Sequence, residues 1–245
     1  MDSARTLPLD SESVRRSERR LFGVLAALCA GCWTWSLHLA GQMGEGTHHH
    51  ASSLWPLALM WTAMMVAMMV PPEVPRLLFL ARAQRREPLL RPLAFLSGYL
   101  LLWTLASLGA ALLQLRLAAA GLLTPQMAMG SRTLGGCLLL AAGFMQLTPL
   151  KRACLKRCRS RAKLAGASGE GLAEPFLRGT GQGLLSIGSC GLLMLVLFVT
   201  GVMSPVAMVL LTGLLLLENV APEPWPVRWA AGLGLLGWGT WLLLV

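Results

Sequence analysis

Charge in this chain is confined to short blocks, and between the blocks lie seven long runs with few charges or none, at roughly 21–40, 54–70, 92–115, 127–147, 184–202, 205–219 and 227–245. A bilayer's hydrocarbon core is about 30 Å thick and takes roughly 20 apolar residues per helix. Uncharged runs of that length fit few other folds, because backbone polar groups in lipid must be satisfied within their own segment. With 55% hydrophobic and only 13% charged residues among 245, the expectation is an all-α polytopic membrane bundle of about seven transmembrane helices. The sixth run is the shortest, and it is joined to the fifth only through Gly201–Pro205.

The basic residues give the expected orientation. Of 21 Lys and Arg, nineteen fall on one side if the N-terminus is inside: before the first run, in 71–91, in 148–183, and at Arg228; Arg116 and Arg132 are the exceptions. That is the positive-inside pattern, with the N-terminus in and, after seven spans, the C-terminus out. A net charge of +10 is thereby explained by topology and an anionic leaflet, and nucleic acid is not expected as a partner. The first run follows Arg15-Arg16-Ser17-Glu18-Arg19-Arg20 without a small-x-small cleavage site, so it reads as a retained span. The expected organisation is a polar, basic cytoplasmic tail at 1–20 and one transmembrane domain at 21–245, with a flexible cytoplasmic loop at 159–183. A bacterial inner membrane is the expected location, and the bilayer is the first partner.

Sulfur is distributed unusually. Met60, Met64, Met65, Met68 and Met69 fall within ten residues that end at Pro71-Pro72. Side chains four apart share a helix face, so Met60, Met64 and Met68 form one row and Met65 and Met69 a neighbouring one. Thioether is a soft, neutral ligand that suits Cu(I), although flexible apolar packing accounts for any single methionine. Cys154 and Cys158 are also four apart, among five basic residues that favour thiolate; a basic juxtamembrane helix with acylated or merely apolar cysteines reads equally from spacing. Cys190 and Met194 repeat the interval, between glycines expected to let another helix approach closely, and Cys137 beside Gly135-Gly136 is a weaker candidate. Outside, His38, Met43, His48, His49 and His50 can present imidazoles to Cu(II) or Zn(II), against the alternative of a solvated loop. Glu73, Glu218 and Arg132 near helix ends read as structural.

The Met-rich segment closing on proline, the run Thr148-Pro149-Leu150-Lys151 leading to Cys154, Cys158 and Arg159, and Cys190 ahead of Leu193-Met194 and Gly201-Val202-Met203 resemble one family. It is the bacterial family of predicted metal-binding integral membrane proteins that includes a tyrosinase-associated membrane copper chaperone, and the likeness runs over roughly 54–245. The resemblance implies Met64, Met65, Met68, Met69, Cys154, Cys158, Cys190, Met194 and Met203 as ligands of a copper ion. The chain departs from the family pattern in having Ser189 and Gly191 where a second cysteine commonly neighbours Cys190, and Arg161 where a proline follows the Cys-Arg pair. Walker, dinucleotide and zinc-finger spacings are absent, as is a base, nucleophile and orienter set. The functional expectation is therefore a non-enzymatic protein that binds Cu(I) and delivers it to a membrane or periplasmic metalloenzyme. The alternative is a non-catalytic accessory or assembly subunit of a larger membrane complex, docked through the Gly- and Trp-rich last helix.

Overall fold

In the computed structural model, residues 11–44, 53–83, 88–124, 127–159, 171–202, 204–221 and 225–245 are described. Apart from an isolated bridge between Leu123 and Met129, their regular structure is helical. In chain order the helices are α1 (Ser11–Gly44), α2 (Leu54–Met69), α3 (Val74–Ala83), α4 (Leu90–Ala119), α5 (Arg132–Leu147), α6 (Pro149–Arg159), α7 (Ala173–Leu195), α8 (Leu197–Thr200), α9 (Pro205–Val220) and α10 (Trp225–Leu244), with a 3-10 turn at Pro71–Glu73.

Local chemistry sets several of these boundaries. Ser131 and Ser204 sit in extended conformation and accept from the backbone N–H three residues on, Leu134 and Ala207, at 3.4 Å. Each satisfies a donor that the first helical turn leaves orphaned. Pro205 then occupies the first helical position, where a missing N–H has no cost.

Four segments are long and apolar enough to cross a membrane: Arg15–Gly41, Leu54–Arg82, Leu90–Ala119 and Ala173–Thr200; the pair α5 and α6, bent by 62°, makes a fifth if it is counted as one span. The count of seven expected from the sequence goes beyond this. α9 has sixteen residues, about 24 Å of helix, and α10 has the length but carries Arg228, four glycines and Trp225, Trp229, Trp238 and Trp241.

Two sequence expectations need correction. The basic segment 71–91 is not a loop throughout: the second span runs on past Pro71-Pro72 as far as Arg82, because Val70 and Val74 keep helical dihedrals around the 3-10 turn. The stretch 159–183 is likewise helical from Ala173, while 160–170 lie outside the described residues. The helix continues upstream because Gly179 and Gly183 seat it against α4. A Cβ on Gly179 would stand 1.9 Å from the Phe95 carbonyl oxygen, and one on Gly98 would stand 2.2 Å from that of Phe176. The closest helix approach is therefore made here, two to three turns before Cys190; beside Cys190 a Cβ on Gly191 would meet only a side chain of its own helix, at 3.6 Å, and one on Gly188 the Cys154 sulfur of α6, at 3.9 Å.

α2 lies between α1 and α4, α4 packs on α7, and α10 packs on α5. Consequently the Leu54–Arg82 segment is the most enclosed, with 61% of its apolar window buried against 17% for α1. The register of α1 against the continuous α2–α3 segment is antiparallel and fixed at two points. The Trp33 indole N–H donates to the Ala67 carbonyl at 3.1 Å, and Arg82 pairs with Glu18 at 2.5 Å; the partners' numbers add to the same value at both points.

A candidate metal locus at a helix break

Proline has no N–H, so Pro71 and Pro72 cannot close the helical bonds expected by the Ala67 and Met68 carbonyls. Glu73 N–H turns instead to the Val70 carbonyl at 3.0 Å, which releases Met69 as well. Side chains from neighbouring helices take up two of the freed oxygens: Trp33 reaches Ala67, and the Tyr99 hydroxyl of α4 donates to Met69 at 3.4 Å. Interrupted helices with released carbonyls are tolerated in membrane proteins only where protein or a cavity supplies partners.

Beside the break is a small cavity of about 10 Å³, room for one small ion or water. Met69, Pro72 and Glu73 line it from the break, Tyr99 from α4, Ser186, Ser189 and Cys190 from α7, Leu155 from α6, and Leu215 and Asn219 from α9. Tyr99 and Ser186 hydroxyls lie 3.2 Å apart, and Ser189 Oγ is 3.3 Å from Cys190 Sγ. Glu73 is occupied: it pairs with Arg76 and accepts from the Gln182 amide at 3.1 Å. The sulfur-bearing residues of the wall are Met69 and Cys190, contributed by different helices. That pair fits a thiophilic ion of low coordination number.

Met64, Met65 and Met68 are buried in the same core as Met69, together with Met60, Met194 and Met208. None faces outward. Cys154 is half-buried, 3.9 Å from where a Cβ on Gly188 would stand; α6 presents Leu155, not Cys154, to the cavity. The Cys158 side chain and Met203 lie outside the described residues, as do the Met43 side chain and His48, His49 and His50. His38 is exposed on α1, and Cys137 is exposed on α5. Among the described residues no three of His, Cys, Asp and Glu gather as a metal cluster, so a metal locus there has at most two such ligands, completed where needed by methionine, backbone or hydroxyl donors.

The Thr148–Lys151 motif serves a different part of the structure. Thr148 is extended, as a residue before proline prefers, and its hydroxyl accepts from the Lys151 N–H at 3.4 Å, so it caps α6. Lys151 then enters the interior. Its Nζ lies 2.9 Å from one Glu218 oxygen and 3.1 Å from the other, donates to Gln146, and both ions are fully buried. Arg228 of α10 donates to the Gln146 and Thr148 carbonyls at 2.8 and 3.3 Å. From the sequence, Lys151 and Arg228 are two more basic residues of the positive side and Glu218 is a structural residue near a helix end; the structure joins Lys151 to Glu218 as a buried pair.

A family model described as the PpoB2 copper chaperone matches residues 58–242. The chain belongs to that family. No curated protein and no solved structure matches it. The matched segment takes in the break, the cavity and the Lys151–Glu218 pair, and leaves all of α1 outside; the family's description supports a copper-related accessory role for the chain.

Proposed function

We propose that this copper chaperone family member is an integral protein of the bacterial cytoplasmic membrane that binds Cu(I) through methionine and cysteine sulfur at the α2 break and hands it to a partner metalloenzyme. The observation that carries the reading is that Met69 and Cys190, from separate helices, line one ion-sized cavity. Met64, Met65, Met68 and Met194, buried in the same core as Met69, are the further soft donors of the reading. Cys154, Cys158 and Met203 complete the implied ligand set as entry or exit positions, and His38, Met43, His48, His49 and His50 serve as an outer capture site. Thioether ligands bind without charge and exchange readily, which suits a carrier that must release its cargo.

The test is a competition titration of the purified chain with Cu(I) against a chromophoric chelator. M69L/C190S should weaken binding by about tenfold or more, equivalent to about 1.4 kcal/mol, whereas C137S should leave it unchanged. Equal affinities for the wild type and M69L/C190S overturn the reading. The accessory-subunit alternative rests on α10. Gly232 and Gly239 are used up against α5, while around Gly234 and Gly237 there is open space, and Trp229 and Trp241 are exposed. G234L/G237L would disrupt a complex without affecting copper.

A further inference from the structure

We infer that Cys29 and Cys32 of α1 form a second site for a thiophilic monovalent ion such as Cu(I), distinct from the cavity and outside the family-matched segment. Leu21, Leu25 and Ser36 are buried along one stripe of α1. Cys29 and Cys32 fall on that stripe and pack, half-buried, against the core that holds the methionines. The register fixed by Trp33–Ala67 and Glu18–Arg82 sets Cys32 level with Met68 and Cys29 level with Pro71. Both thiols are thus at the depth of the break.

Helix geometry separates the chemistries open to such a pair. Residues three apart on a helix have Cβ atoms about 5–6 Å apart, whereas a disulfide needs about 3.5–4.5 Å. The pair cannot close a disulfide on a regular helix. A metal–thiolate bond is about 2.3 Å, so two sulfurs bridged by one ion stand about 4.5 Å apart, a span that leaning side chains on adjacent turns can reach. Each thiol that binds as thiolate releases its proton. A second observation lies one turn further along the stripe: Ser36 is 2% exposed, and its Oγ has no hydrogen-bond partner among the described residues. A polar atom left dry on that face points to a missing ligand or water. Plain packing of small apolar thiols accounts for the burial but leaves Ser36 unexplained.

The experiment uses the full chain in detergent or nanodiscs, with Cu(I) alone added anaerobically. C29S/C32S should bind about one equivalent fewer than wild type and lose part of the ultraviolet sulfur-to-copper charge-transfer band. In the wild type, Cu(I) should protect both thiols from maleimide labelling. C29S alone, a nearly isosteric change, should lose the same equivalent if the double variant folds poorly. Unchanged stoichiometry, or labelling of Cys29 and Cys32 unaffected by Cu(I), overturns the inference. The arms are independent of the cavity: M69L/C190S should retain the Cys29- and Cys32-dependent equivalent, so either site can fail while the other stands.

Discussion

Two proline interruptions in this protein have opposite outcomes. At Pro71-Pro72 the helical path continues to Arg82 within one span, while at Pro149 it turns by 62°. The residue before the proline makes the difference. Val70 keeps helical dihedrals (φ −71°, ψ −43°), against the usual preference at that position, whereas Thr148 takes the extended conformation (φ −66°, ψ 149°) that proline favours. A continuing helix leaves carbonyls pointing at its neighbours, and Trp33 and Tyr99 answer them. A turned helix begins again with its own cap, and the Arg228 cation meets the Gln146 carbonyl left behind it, along with the Thr148 carbonyl that also accepts from Arg152 N–H. Neutral partners serve the first break, and ionic ones the second.

That contrast can be broken experimentally, the bent site being the more sensitive. Lys151→Met strands a fully buried Glu218 carboxylate and should cost about 3–5 kcal/mol, seen as loss of folded protein in a denaturant or thermal series; a K151M/E218L double variant that recovers most of the loss would assign it to the stranded charge. Arg228→Met removes a charged donor from two carbonyls and should cost about 2 kcal/mol by the same measurement. At the straight break, Trp33→Phe gives up one neutral bond and should cost about 1 kcal/mol. If W33F proves more damaging than R228M, the assignment of ionic and neutral roles is reversed.

The fold class was legible because bilayer thickness leaves few readings for long uncharged runs, and the extents of α2, α4 and α5 followed from the same rule. What escaped was decided across the fold. Lys151 reads as one more basic residue until Glu218, 67 positions away, is placed beside it. Pro71-Pro72 reads as a span's end because its continuation depends on Val70 holding a conformation that the dipeptide itself disfavours. The start of α7 at Ala173 was hidden in a polar stretch whose glycines read as loop and in fact seat it on α4. For the candidate site, the sequence singled out Met69 and Cys190, which the structure brings to one cavity; it offered no sign of Tyr99, on α4, or of Ser186, one turn before Cys190 on α7, both ordinary polar residues.

The glycine contacts between α4 and α7 give the cavity two kinds of wall. With Gly98, Gly179 and Gly183 admitting no side chain between them, the two backbones touch directly, and Tyr99 and Ser186 project from that stiff plate within a turn of the contact. α2 contributes Met69, whose side chain swivels about three bonds. If the cavity takes an ion as proposed, that ion would meet one face that dictates position and one side chain that adapts to coordination number, so a ligand could be gained or lost without the bundle having to move.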